Sequence, residues 1–219
     1  MMNHEARQSR FAPPAGAAEL FLVRHGESMP ALRGEDFPLK DGHGDPALHP
    51  DGEAQARAVG QRLRNSNIAA IYVTTLQRTH QTAAPLAAAL GLEPRIEADL
   101  REVCLGEWDG GAYRFHATEK HPAYLQAMQR HEWGEIPGAE TTDALHMRVR
   151  RGLLRIAAAH PDSRVAVFVH GGVIGAAMSI ATGAKPFAFN RADNGSISLL
   201  VIHGETMIAR RFNDTTHLE

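Results

Sequence analysis

Glu19-Leu20-Phe21-Leu22-Val23-Arg24-His25-Gly26 opens as a short apolar, β-rich run and closes on a cation, an imidazole and a glycine. A run of this length, bounded by a turn signal, reads as a buried strand. A related ending, a histidine and two glycines without the cation, closes Val167-Phe168-Val169-His170-Gly171-Gly172, and there a helical pattern follows. Working outward, residues 69–74 (AAIYVT) and 164–169 (RVAVFV) predict two further strands. Residues 196–203 and 207–212 flank Gly204 and read as an antiparallel hairpin. Helical patterns fill the gaps. They cover 51–64, led by an acidic capping residue with Ala54, Ala58 and Leu63 on one side, and 81–90, stopped by Gly91. Two more cover 142–160, stopped by Pro161, and 173–182, stopped by Gly183. Strands alternating with helices predict an α/β fold, a three-layer α/β/α sandwich around a mostly parallel central sheet.

Two segments lack this pattern. Residues 29–50 are rich in Gly, Pro, Asp and His and read as a long surface loop. Residues 107–139 hold both tryptophans and show little clean periodicity. Long irregular segments inside a compact domain are usually functional. Residues 1–18 mix charges with Pro and Gly and lack an apolar core segment, so they read as a loose N-terminal arm rather than a signal peptide. Residues 19–219 then form a single domain.

Composition narrows the class. The 219 residues are 43% hydrophobic with a net charge of −2. No global basic field draws the chain to nucleic acid or to an anionic membrane. No apolar run reaches the roughly 20 residues of a membrane span. The single cysteine, Cys104, fits a reducing compartment, so the expected location is the cytoplasm. Only three of the 23 basic residues are lysines, which, with abundant alanine, fits a GC-rich coding sequence. Arginine content alone therefore carries no argument, and individual positions must.

The positions that matter are the strand ends. In an open α/β sheet, ligands bind at the carboxyl edge, where glycines permit sharp turns and a helix N-terminus favours an anion. His25 and His170 are expected to converge on one crevice there, with Arg24 and Gly171 beside them. Val201-Ile202-His203-Gly204 is a third such corner, but no Arg precedes its His and no helix follows, so His203 belongs to a hairpin turn. Arg78 follows the 69–74 strand and faces the same edge. Two guanidiniums and two imidazoles suit a phosphate dianion, which arginine binds bidentately. A leaving alkoxide also needs a proton. Glu102, after a strand-like 96–100 segment, is a candidate, but position alone does not separate it from Glu107 and Asp109.

These blocks together resemble the histidine phosphatase superfamily, in its phosphoglycerate mutase-like branch. The matching residues are Leu22-Val23-Arg24-His25-Gly26-Glu27-Ser28, Asp45-Pro46-Ala47-Leu48 and Leu76-Gln77-Arg78-Thr79-His80-Gln81-Thr82-Ala83. Leu100-Arg101-Glu102, Gly106-Glu107-Trp108-Asp109-Gly110, Val169-His170-Gly171-Gly172 and Asn213-Asp214-Thr215-Thr216-His217-Leu218 complete them. The resemblance implies a phosphoglycerate mutase-like fold and a metal-independent phosphomonoester hydrolase. His25 would become phosphorylated, Arg24, Arg78, His170 and Gly171 would hold the phosphoryl group, and Glu102 would act as general acid and base. It implies no cofactor, inhibition by vanadate, a small phosphorylated substrate, and a homodimer by analogy. The chain departs from relatives at Met29-Pro30-Ala31, where many carry an Asn, at Thr75-Leu76-Gln77, and at Pro137-Gly138-Ala139-Glu140.

Two alternatives stay in view. Mutases of this type carry an Arg-x-Tyr-Gly pattern after the acid, whereas Glu102-Val103-Cys104-Leu105-Gly106 lies closer to the phosphatases. A non-catalytic phospholigand binder would keep the same residues without turnover. A metal module is disfavoured: the 13 histidines include no His-Glu-x-x-His, and His116 with His121, and His43 with His49, read as surface or loop residues. Arg148, Arg150, Arg151 and Arg155 read as a solvated helix face or an oligomer contact. Trp108, Trp133, Tyr113 and Phe115 suit a substrate lid or a small subcore equally.

Overall fold

The computed structural model describes residues 8–219. Strand β1 (Ala18–Arg24) is followed by a two-stranded ribbon, β2 (Leu39–Lys40) with β3 (His43–Gly44). Then come helix α1 (Pro50–Leu63), β4 (Ile68–Val73), α2 (Gln77–Leu90) and β5 (Arg95–Ile96). Helices α3 (Ala112–Thr118), α4 (Pro122–Arg130) and α5 (Thr142–Ala159) lead to β6 (Arg164–Val169) and α6 (Gly171–Thr182). The chain closes with β7 (Ile197–His203) and β8 (Thr206–Asp214).

The six-stranded sheet has the order β5-β4-β6-β1-β7-β8. Pairing is parallel from β5 through β1 and antiparallel for β1–β7 and β7–β8. Period-two alternation divides the side chains between two faces. Leu20, Leu22, Val165, Val167 and Val169 join Leu145, Val149, Leu153 and Ile174, so α5 and α6 cover that face. Val23, Ala166 and Phe168 join Val59, Leu63, Ala83 and Leu86, so α1 and α2 cover the other. The three layers predicted by the alternation are present. Among the described residues no helix is long and apolar enough to cross a membrane.

Several boundaries differ from the sequence expectation. Ala18, assigned to the loose arm, starts β1, and it and Ala17 are buried; residues 1–7 of that arm lie outside the described part. Helix α1 is capped by the His49 ring, which accepts the Asp51 N–H, and not by an acidic side chain. Its buried face is Gly52, Ala56, Val59, Gly60 and Leu63, while Ala54 is exposed. Helix α2 begins four residues before Gln81 because Asp45, distant in sequence, accepts the Gln77 N–H at 2.8 Å. Of the 96–100 run only Ile96 belongs to a strand, the end of β5; the chain then enters a single 3-10 turn at Ala98–Leu100 capped by Glu97. Residues 29–50 contain the β2–β3 ribbon, and 107–139 fold into α3, α4 and short 3-10 turns.

One close approach ties the end of β1 to α1. A Cβ on Gly52 would lie 2.0 Å from the Glu27 carbonyl oxygen, and one on Gly26 would lie 2.3 Å from the Gly52 oxygen. Backbone must therefore yield if either position gains a side chain. Gly52→Ala is expected to lower the unfolding free energy by about 1–3 kcal/mol, the usual cost of overpacking. Urea denaturation measures this, and an unchanged midpoint would contradict the contact.

Candidate active site

His25 and His170 each follow the last residue of a parallel strand, and those strands are neighbours. Arg24 pairs with Val169, and the His25 N–H continues the ladder by donating to the Val169 carbonyl at 3.0 Å. The two rings meet edge to face, 5.2 Å between centroids. His25 Nδ1–H donates to the Gly26 carbonyl at 2.7 Å, and Arg78 Nε–H donates to His25 Nε2 at 3.2 Å. Both bonds require the neutral tautomer with its lone pair on Nε2. Burial, then the charges of Arg78 and Arg24, hold the His25 pKa well below the usual imidazole value. Nε2 is thus an unprotonated nucleophile at neutral pH.

The two guanidiniums come from different elements. Arg24, the last residue of β1, donates Nη1–H to the Ala192 carbonyl, while its buried Nε has no partner. Arg78 lies in the first turn of α2, where Nη1 donates to the Gly44 carbonyl at 2.9 Å and sits 3.8 Å from Asp45. Burial pushes the Arg78 pKa down to about 10, with Glu102 and Asp45 acting against the shift. Its charge remains intact at neutral pH.

His170 is fully buried and lies behind the cavity wall rather than on it. Its Nε2 is 3.0 Å from the Thr74 hydroxyl, and its buried Nδ1 has no partner. The same Thr74 oxygen accepts the Leu76 N–H and lies 3.2 Å from the Thr79 hydroxyl. Burial, Arg78 and His25 hold this imidazole well below its ordinary pKa.

Glu102 reaches the same place. Its carboxylate accepts the Gly172 N–H, at the start of α6, at 3.1 Å and the Val103 N–H at 2.9 Å. Gly171 packs against Arg24, since a Cβ there would lie 3.4 Å from Arg24 Nε. A cavity of about 660 Å³ opens over Arg24, His25, Arg78, Glu102 and Gly171. Of the other two carboxylates, Glu107 does not line the cavity, whereas Asp109 lines it and accepts the Gly44 and Leu105 N–H groups.

The comparisons fit this geometry. The model of the histidine phosphatase superfamily (branch 1) matches residues 20–215. The chain belongs to this superfamily. It is 33% identical over 220 residues to "Phosphoglycerate mutase-like protein 4" of Arabidopsis thaliana, covering 97% of this chain and 92% of the relative. Its fold is similar to that of a phosphoglycerate mutase from Bacillus anthracis, with a TM-score of 0.77 and 18% identity over 93% of this chain and 96% of that one. It is also similar to a mycobacterial glucosyl-3-phosphoglycerate phosphatase solved with VO3, with a TM-score of 0.76, 25% identity, and coverage of 90% and 99%. The superfamily's phosphoglycerate mutase-like fold is therefore the fold of this chain, and its solved neighbours include both phosphatases and mutases.

Within this superfamily member, several residues at the site were not singled out from sequence. Asp45 caps α2 and flanks Arg78, and only its place in a matching block marked it. Arg114, on α3, lines the cavity and donates to the Ser28 hydroxyl at 2.8 Å and the Met29 carbonyl at 2.7 Å. Nothing in the α3 sequence signals this, because α3 has no fully buried residue and so no apolar stripe. Arg148, expected on a solvated face, turns inward with its side chain 18% exposed. His43 is buried rather than a surface residue. His116 packs on Trp108 and His121 meets it edge-on, with centroids 4.4 and 5.2 Å away, and Trp108, Tyr113 and Trp133 also line the cavity.

The depressed imidazoles set a pH dependence. The unfolded chain protonates these histidines below about pH 6.5, whereas the folded chain keeps them neutral. Their contribution is therefore complete above that pH and is lost as pH falls, by roughly 1.4 kcal/mol per unit for each imidazole. Urea denaturation between pH 7.5 and 5 is expected to show a shallower slope for His170→Gln than for the wild type. Equal slopes would mean that His170 is not held neutral.

Proposed function

We propose that this chain is a metal-independent phosphomonoester hydrolase working through a phosphohistidine on His25. The observation that carries this reading is the His25 ring, oriented by the Gly26 carbonyl and kept neutral by burial and the charges of Arg78 and Arg24, with Nε2 turned toward Arg78 and the cavity. The Nε2 lone pair attacks phosphorus, and the bond from phosphorus to the ester oxygen breaks. Glu102 in its acid form gives its proton to that oxygen, releasing the alcohol. Water then attacks the phosphohistidine, its proton passes to Glu102, and phosphate leaves with His25 restored. Arg24 and Arg78 neutralise the equatorial oxygens, as preorganised cations do in phosphoryl transfer. Arg24 Nε is a further unpartnered donor beside the cavity, and His170, behind the wall, backs the His25 ring. Gly171 contributes by letting α6 begin against Arg24. The substrate is a small phosphorylated alcohol, and the charge at the site comes from arginines.

The name of the Arabidopsis relative favours a second reading, transfer to another substrate hydroxyl. It is distinguished by product: a mutase isomerises a phosphoglycerate without releasing phosphate.

Hydrolysis of p-nitrophenyl phosphate tests the proposal. Wild-type turnover is expected to survive EDTA and to fall by more than about 10³-fold in His25→Ala, as for loss of a covalent nucleophile. Comparable turnover by the folded His25→Ala protein would remove His25 as nucleophile. A second comparison addresses Glu102. Glu102→Gln is expected to slow alkyl phosphates by about 10²-fold or more, within the range for a general acid. Aryl phosphates, whose leaving groups need less protonation, are expected to lose far less. Equal losses would exclude the acid role.

A further inference from the structure

The segment carrying Glu102 has almost no regular structure of its own. It lies between the 3-10 turn at Ala98–Leu100 and the turns that begin at Gly106. Its backbone carbonyls point toward α5, and one side chain there takes three of them. Arg148 Nη1 donates to the carbonyls of Asp99 at 2.8 Å and Arg101 at 2.7 Å, and Nη2 donates to that of Glu102 at 2.9 Å. The remaining donors go to one carboxylate: Nε to Glu140 Oε2 at 3.0 Å and Nη2 to Glu140 Oε1 at 2.5 Å. All five N–H groups of the guanidinium are thereby used, in the fixed fork that only arginine offers.

Glu140 extends the clamp. Its Oε1 accepts the Cys104 N–H at 2.8 Å, and its own N–H donates to the Cys104 carbonyl at 3.0 Å. The chain is therefore gripped on both sides of Glu102, at 99–102 by Arg148 and at 104 by Glu140. Neither residue lines the cavity. The Glu102 carboxylate is held separately at its far end by the Gly172 N–H. Its main chain is fixed by α5 and its carboxylate by α6, so the reach between these two anchors sets where the proton is delivered.

We propose that Arg148 is the positioning residue for the general acid, acting on the ester oxygen only through the main chain of Glu102, with Glu140 holding Arg148 in place. This rests on the reading of Glu102 as the acid. Misplacing a catalytic group by 1 Å costs on the order of 10²-fold in rate. Lysine retains the charge but presents three donors from one point, so it cannot span three carbonyls and a carboxylate.

The test compares wild type, Arg148→Lys, Glu102→Gln and the double variant, each on glycerol 3-phosphate and on p-nitrophenyl phosphate. Arg148→Lys is expected to lower kcat for the alkyl ester by about 10- to 10²-fold. It should lower kcat for the aryl ester several-fold less and leave KM for either within about threefold, and it should cost nothing further in the Glu102→Gln background. A purely structural role would lower both substrates together and add to the loss from Glu102→Gln, and that result overturns the positioning role. If Arg148→Lys does not fold, Glu140→Gln, which loosens the same guanidinium, is measured in its place against the same criteria. If Glu102→Gln itself shows no alkyl–aryl split, the acid assignment falls and this inference falls with it. A split in Glu102→Gln that neither clamp variant reproduces removes the positioning inference alone.

Discussion

The parallel pairing of β1 with β6 sets the geometry on which the site depends. Because Arg24 pairs with Val169, both strands leave the sheet at the same height, and the next residue of each is a histidine. Parallel strands end at one edge of the sheet, so both rings and the N-terminus of α6 share that edge. β4 lies on the other side of β6 and ends at Val73, which brings Thr74 beneath His170 and the first turn of α2 beside His25. A register shift of one residue would turn either ring to the opposite face of the sheet. The apolar alternation prevents that: Val23 and Phe168 belong in one core and Leu22 and Val169 in the other.

Those two cores also sustain an arrangement that is locally unfavourable. Arg24 and Arg78 are both removed from water, with Glu102 and Asp45 offsetting the charge of Arg78 and Glu102 and Asp193 that of Arg24. Two imidazoles beside them are kept neutral by burial and by those same cations. Arg24 Nε and His170 Nδ1 are buried without hydrogen-bond partners, which costs free energy. An anion in the cavity offers a counter-charge for the two guanidiniums that line it. The penalty is thus carried by the folded scaffold before the ligand arrives, which is the condition for strong electrostatic stabilisation of developing charge.

How much of this the sequence reveals depends on how local the determining contacts are. His25, Arg24 and His170 are legible because strand, turn and helix adjoin each of them, and the α/β alternation dictates which edge they occupy. Arg78 is legible for the same reason, although the start of its helix is not, since the cap on Gln77 comes from Asp45 in a distant loop. Glu102 is different. Residues 96–100 look like a strand, yet the backbone there follows Arg148, 49 residues beyond Asp99, and not its own propensity. Resemblance to relatives selects Glu102 among three carboxylates, while local pattern does not. Arg114 escapes altogether, because α3 packs by partly covered side chains and shows no helical stripe.

The glycines after His170 illustrate a related distinction. From sequence they read as residues that allow a sharp turn. In the structure neither has a positive φ, and α6 starts at the first of them, so backbone freedom is not what either supplies. What both supply is proximity. A Cβ at 172 would lie 2.5 Å from Val103 Cγ2 and 2.7 Å from Glu102 Oε1, and a Cβ at 171 would lie 3.4 Å from Arg24 Nε. One turn of helix thereby holds a guanidinium against one glycine and a carboxylate against the next. Any larger residue at 172 would drive the carboxylate away from the amide that holds it, and would leave the main-chain clamp of α5 aiming Glu102 at nothing. The spacing between cation and acid at this site is set by the absence of two side chains as much as by the presence of the others.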